Sequence, residues 1–277
     1  MNKTKNIREV ILEILLRIEK HNSYLNILLQ HYFNSYYFKS EDKALLQEIT
    51  YGVIRFRQKI DWIIKHFLIL RNKKLPIEIN NILRIGVYQL FYLDKIPHYA
   101  VVNESVQLVK KIKKYEYANL VNAVLRNVIR EKDQLKWPAD MKGNIEDISI
   151  FYSFPAWLIK RWISRFGEKL CIQICETMNK KPKITIRSNP IRADLDLLKR
   201  ELEKLGIAFQ ESQYLSKELL TLENIINIAD SDIFKKGFFS VQDESSALAS
   251  RFLAPLPGET ILDMCSGPGG KTTHIAQ

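Results

Sequence analysis

Through the first 130 positions of the chain, apolar residues return every three or four residues, the period of an α-helix with one buried stripe. Ile7, Val10, Ile11, Ile14, Leu15 and Ile18 form the first stripe. Asp42 to Leu70 holds two further runs, with Ser40 placed to cap the first. Pro76 opens the run LPIEINNILRIGVYQLFYL, and proline suits the first turn of a helix. This run is apolar on most sides around Leu83, Ile85, Val87 and Leu90, which predicts the buried central helix of a bundle. Pro97 ends it. The amphipathic VVNESVQLVKKIKK follows, then ANLVNAVLRNVIR, whose buried face is Leu120, Val121, Val124, Leu125, Val128 and Ile129.

The period fails over residues 131–150, where Pro138, Gly143 and several acidic residues predict a linker. Beyond it FPAWLIKRWISRFG reads as a helix, with Pro155 near its start and Gly167 at its end. The next helix carries Cys171 and Cys175. KITIRSN alternates apolar and polar residues, which predicts a strand, and DLDLLKRELEKLG reads as a helix closed by Gly206. Short extended pieces are expected at Ile207–Gln210 and Phe238–Val241. After the turn marked by Pro255, Pro257 and Gly258, TILDMC reads as a buried strand, SGPGG as a loop and KTTHIAQ as the opening of a helix. The expected fold is a mostly α helical bundle over residues 1–135 and a linker over 136–150. A small α/β domain over 151–240 follows, then the first strand, turn and helix of a Rossmann-like sheet over 241–277.

Charge divides the chain unevenly. Residues 1–140 hold 24 Lys and Arg against 14 Asp and Glu, while residues 141–277 hold 18 against 17. Most of the net charge of +11 therefore belongs to the helical half, and a cationic domain of this kind favours polyanions through counterion release. Lys110, Lys111, Lys113 and Lys114 cluster there, and Asn122, Arg126 and Arg130 lie four apart on one face of their helix, a stripe suited to phosphates. The bland alternative for each of these residues is a solvated helix side. Three cysteines make no disulfide scaffold; Cys171 and Cys175, four apart, are expected to pack rather than to hold a metal. The first ten residues, MNKTKNIREV, have no apolar signal-peptide core, and no uncharged apolar run approaches the ~18 residues of a membrane span. A cytoplasmic, reduced setting with no membrane partner is expected.

The glycine turn narrows the chemistry. Glycines admit positive φ and close approach of a ligand to backbone, and free amides at a helix start attract anionic groups. A phosphate-binding P-loop needs a glycine five residues before its Gly-Lys-Thr. Cys265 holds that position, so the P-loop pattern fails. Two readings stay open on this stretch: an ordinary glycine-rich turn, and the first turn of a methyltransferase sheet that binds S-adenosylmethionine.

LDMCSGPGGKTTHIA resembles motif I of the RNA 5-methylcytosine methyltransferases, with Ser266 and Gly267 in place of two alanines. FFSVQDESSALAS is similar to the segment that precedes this motif. ALLQEITYGVIRF, LRIGVYQLFYLDKIPHYAVVNESVQLVKK and VNAVLRNVIR resemble the NusB-like RNA-binding domain fused to the RsmB/Sun/Fmu family of bacterial 16S rRNA cytosine-5 methyltransferases. The resemblance runs along essentially the whole chain. It implies a monomeric enzyme with 16S rRNA as partner, S-adenosylmethionine as cofactor and no metal. It implies that Cys265, Ser266, Gly267, Pro268, Gly269, Gly270 and Lys271 cradle the methionine part of the cofactor, with Asp263 orienting the loop. A family cysteine adds to C6 of cytosine, C5 takes the methyl group, and loss of the C5 proton frees the enzyme. Family members carry that cysteine in later Pro-Cys and Thr-Cys motifs, neither of which this sequence contains, so no catalytic residue is assigned here. Arg187 and Asn189 resemble a family segment expected to hold RNA, with a strand-end salt bridge as the alternative for Arg187. The expectation is the front of a longer methyltransferase, inactive as it stands. The alternative is a stand-alone NusB-like RNA-binding module without catalysis.

Overall fold

The computed structural model describes residues 5–68, 74–137, 144–223, 228 and 231–277. The chain forms two compact units that divide between Lys180 and Lys181.

The first unit is all helical: α1 (Ile7–His21), α2 (Leu25–Ser35), α3 (Ser40–Arg55), α4 (Arg57–Phe67), α5 (Ile77–Tyr92), α6 (His98–Lys111), α7 (Ala118–Glu131), α8 (Ile145–Tyr152), α9 (Ala156–Phe166) and α10 (Glu168–Asn179). The two runs expected over Asp42–Leu70 are α3 and α4; residues 69 and 70 lie outside the described residues. Ser40 is the first residue of α3 rather than its cap, and Lys39 is the flanking residue. Helix α5 is the central helix that its apolar run predicts, with every residue from Asn81 to Leu90 buried. Two glycines let it pack closely. A Cβ on Gly52 of α3 would stand 1.9 Å from the Tyr88 ring, and one on Gly86 would stand 2.8 Å from Leu125 of α7.

A buried arginine ties this core together. Arg84 of α5 donates to both carboxylate oxygens of Asp61 (2.6 and 2.9 Å), to Glu19 at 2.5 Å and to Asn81 at 3.1 Å. Arg57 reaches the same Glu19 oxygen at 2.6 Å. The cluster joins α1, α4 and α5. Its fork-on-carboxylate geometry satisfies a charge that the apolar core would otherwise reject.

Residues 145–150, expected in the linker, belong to α8; Asn144 caps that helix by accepting from the Glu146 amide. Pro138 and Gly143 lie outside the described residues. The helix is held because its apolar side joins α9 and α10 in a cluster of Ile148, Ile159, Cys171 and Cys175. Both cysteines are fully buried there, and burial pushes the Cys175 thiol up to about 12. Helix α4 meets this cluster through the Lys59 amide, which donates to the Ser153 hydroxyl at 2.9 Å. The Lys59 ammonium sits 4.3 Å from the Trp137 ring centre and 3.9 Å from that of Phe151, and burial lowers its pKa to about 8.

The second unit is a four-stranded antiparallel sheet with helices: β1 (Ile184–Ser188), α11 (Leu195–Lys204), β2 (Phe209–Glu211), β3 (Leu219–Leu222), α12 (Asp232–Lys235), β4 (Phe239–Val241), α13 (Glu244–Leu253) and α14 (Gly270–Ile275). Strand order is β2-β3-β1-β4, with Ile186 opposite Leu220 and Arg187 opposite Ser240. Ile186, Leu220, Leu222 and Phe239 pack with Leu198 and Leu202 of α11. The strands expected at KITIRSN and Phe238–Val241 and the helix at DLDLLKRELEKLG are present; the piece expected at Ile207–Gln210 forms β2 two residues later.

TILDMC is not a strand, contrary to its sequence pattern. No strand among the described residues pairs with it. A lone apolar strand can neither satisfy its backbone groups nor bury its side chains. Leu262 is 82% exposed and Met264 is 86% exposed as a result.

Candidate functional site

The glycine turn is organised by two anchors within the second unit. Asp263 is the first. Its carboxylate accepts from the Cys265 amide at 3.0 Å and from the Thr272 hydroxyl at 2.6 Å, so one side chain ties the entry of the turn to the helix that leaves it. The Thr272 hydroxyl, then the Cys265 amide, hold the Asp263 carboxyl below the usual carboxylate range. Gly269 takes φ +108°, a left-handed value that an L side chain resists, and its carbonyl accepts from the Thr273 amide at 2.9 Å. A Cβ on Gly267 or Gly270 would meet nothing within 4 Å. Packing inside the chain therefore does not require glycine at these two positions, and the backbone there is open to close approach. Cys265, Ser266, Gly267, Pro268 and Lys271 are exposed, and Gly269 and Gly270 are half-buried.

Arg187 is the second anchor. It lies on β1, between β3 and β4, and is 2% exposed. Its guanidinium donates to the Gly270 carbonyl at 2.8 Å, to the Thr273 hydroxyl at 3.0 Å and to the Gln242 side-chain oxygen. The salt bridge expected as its alternative role is not seen: no carboxylate among the described residues pairs with it. Desolvation lowers its pKa. Asn189, two residues further, donates to the Gly237 carbonyl at 2.8 Å and accepts from Gln277 at 2.9 Å. Both residues brace α14 and the sheet. The sequence carried one signal of this: an arginine inside a strand with paired neighbours on both sides must find acceptors in the interior.

His274 of α14 completes the brace. Its Nε2–H donates to Glu218 at 3.1 Å, and Arg251 pairs with the same carboxylate. Burial, then the Arg187 and Arg251 charges, push the imidazole down to about 4, so it is neutral at pH 7. The unfolded chain takes up this proton near pH 6.5 and the folded unit only near 4. The stability of the second unit should therefore hold above pH 6.5 and fall as pH drops from about 6.5 to about 4. Calorimetric melting at pH 7.5 and 5 tests this. His274→Gln, which keeps a donor to Glu218 and cannot titrate, should show the smaller loss.

A cavity of about 850 Å³ opens beside α14, lined by Arg187, Lys217, Glu218, Arg251, Leu256 and His274 among others. None of the residues 265–271 lines it. The glycine turn is an open surface feature, and the cavity is not its binding pocket.

In the first unit the predicted basic residues divide. Lys111 pairs with Glu9, and Arg130 donates to Glu131 at 2.8 Å and to Asn127 at 3.1 Å. Arg126 donates to Asn122 at 3.1 Å, which keeps those two members of the stripe together on the exposed side of α7. Among the described residues, no carboxylate lies within ion-pairing distance of Lys110, Lys113, Lys114 or Arg126. No helix among the described residues is long and apolar enough to cross a membrane.

A basic helical bundle, a small antiparallel sheet and a glycine turn seated on a short helix make a modular protein. Three family models match in that order: the NusB family over residues 5–130, the ferredoxin-like domain of RsmF/B-like methyltransferases over 154–229, and 16S rRNA methyltransferase RsmB/F over 250–277. The chain is 33% identical to the probable ribosomal RNA small subunit methyltransferase B of Bacillus subtilis (strain 168), covering all of this chain and 61% of that protein. It is 32% identical to ribosomal RNA small subunit methyltransferase B of Escherichia coli O6:K15:H31 (strain 536 / UPEC), covering all of this chain and 62% of that one. The crystal structure of PH0851 shares the fold with a TM-score of 0.68 at 23% identity, over all of this chain and 62% of that one. The chain is similar to the RsmB/F 16S rRNA methyltransferases along its whole length, and it spans about 61% of the length of the Bacillus relative.

Proposed function

We propose that this protein serves the transfer of a methyl group from S-adenosylmethionine to C5 of a cytosine in 16S rRNA. The observation that carries the reading is the largely exposed turn Cys265–Lys271, held from behind by Asp263 and Arg187 and bearing glycines that internal packing does not require. In this reading Cys265, Ser266, Gly267, Pro268, Gly269, Gly270 and Lys271 hold the methionine part of the cofactor, which when bound supplies an electrophilic methyl group. Residues 1–135 form the NusB-like RNA-binding domain, 151–240 a second domain against RNA, and 241–277 the start of the methyltransferase domain. Lys110, Lys111, Lys113, Lys114, Arg126 and Arg130 meet phosphates, with Lys111 and Arg130 exchanging their internal carboxylate partners for them. The protein acts as a cytoplasmic monomer. None of its three cysteines is assigned to attack the base: Cys171 and Cys175 are buried in an apolar cluster and Cys265 lies in the cofactor turn.

The test is a map of 5-methylcytosine in 16S rRNA by bisulfite sequencing, with and without the gene. Disruption should erase one methylated position and complementation should restore it. An unchanged map overturns the reading. If RNA binding by the purified chain persisted beside an unchanged map, the protein would be an RNA-binding module without catalysis.

A further inference from the structure

Helix α9 carries a face whose individual residues have no role in the sites proposed above. Ile159 is fully buried, and Trp162 and Ile163 pack against α8 and α10. The opposite side is Trp157, Lys160, Arg161, Ser164 and Arg165, all exposed, at offsets of three, four, seven and eight residues that place them on one stripe. Helix α9 holds no acidic residue. Among the described residues no carboxylate lies within ion-pairing distance of Lys160, Arg161 or Arg165. Trp157 is 64% exposed, while Trp162 on the same helix packs against Phe154 at 5.5 Å between ring centres. A large aromatic ring in water, with three unpaired cations on its stripe, is complementary to one kind of ligand.

We infer that this α9 face is a binding surface for single-stranded RNA, with Trp157 stacking on an unpaired base while Lys160, Arg161 and Arg165 contact successive phosphates. The inference rests on the proposed function and adds a surface to it. Charge complementarity selects a polyanion. The exposed indole selects a polyanion with flat, unstacked rings over an acidic peptide. A lipid surface is disfavoured, because the apolar side that would enter it is already buried in the cluster of Ile148, Ile159, Cys171 and Cys175.

The experiment titrates the full chain with a fluorescein-labelled oligouridylate, and with an RNA duplex of equal length, at several salt concentrations. Trp157→Ala should weaken binding to the single strand about tenfold and leave the salt dependence unchanged. The triple variant Lys160→Gln, Arg161→Gln, Arg165→Gln should make the slope of log affinity against log salt shallower by about 2. All these side chains are exposed, so each variant should keep the wild-type melting temperature. Equal affinity of all three proteins for the single strand overturns the surface and leaves the proposed function standing. Failure of the wild type to bind either RNA counts against both. Polyglutamate competing as well as oligouridylate, or a duplex preferred over the single strand, overturns the stacking role of Trp157.

Discussion

Arg84→Ala is expected to destabilise the first unit by about 3–5 kcal/mol, the cost of stripping one partner from a buried ion cluster. Among the described residues the arginine makes the tighter bridge between the two carboxylates: it grips both oxygens of Asp61 and one of Glu19, while Arg57, half exposed, reaches Glu19 at 2.6 Å and Asp61 only at 4.0 Å. Alanine strips Asp61 of its two close bonds and Glu19 of one, and leaves the half-exposed Arg57 to serve both carboxylates. All four tryptophans (Trp62, Trp137, Trp157 and Trp162) lie in the first unit, so urea unfolding followed by tryptophan fluorescence reports this unit alone. The midpoint should fall with little change in slope. A triple variant, Glu19→Gln, Asp61→Asn, Arg84→Met, removes the two carboxylates with the buried arginine, leaves the half-exposed Arg57 to solvent, and should recover most of the loss. A midpoint for Arg84→Ala within error of wild type would mean that the cluster holds nothing.

How much of this was legible in the sequence depends on the range of the interactions involved. The bundle was legible because its helices announce themselves locally: each stripe repeats within its own segment, and α5 is apolar on most sides because it is surrounded. Helix α8 was less so. Its eight residues are too few for a period to declare itself, and its apolar side gains meaning only from Ile159 and Cys171, which come later in the chain. TILDMC carries the composition of a buried strand, but a strand requires neighbours, and among the described residues it has none. The glycine turn was readable by residue type. Its supports were not, because Arg187 lies 83 residues from the Gly270 carbonyl it holds and Glu218 lies 56 from His274. Such contacts leave no mark in local spacing.

Those distant supports lead to the second large effect. Arg187→Ala should loosen the second unit by about 2–4 kcal/mol, because hydrogen bonds from a charged group contribute about 1.5–3 kcal/mol and the buried Gln242 side-chain oxygen loses this donor. Three partners lose their bond at once: the Gly270 carbonyl, the Thr273 hydroxyl and the Gln242 amide oxygen. They belong to the helix that leaves the glycine turn and to the segment that follows β4. The sheet and the turn should therefore loosen together. Amide hydrogen exchange read by mass spectrometry separates them from the bundle. Peptides covering β1, β3 and residues 263–275 should exchange on the order of 100-fold faster, the equivalent of about 2.7 kcal/mol. Peptides from α1 to α7 and the tryptophan-monitored midpoint should not move. Arg187→Lys keeps the charge but lacks the fork, so it can serve one partner at a time and should fall between wild type and alanine. If the sheet loosens while residues 263–275 stay protected, Asp263 alone anchors the turn, through the Cys265 amide and the Thr272 hydroxyl.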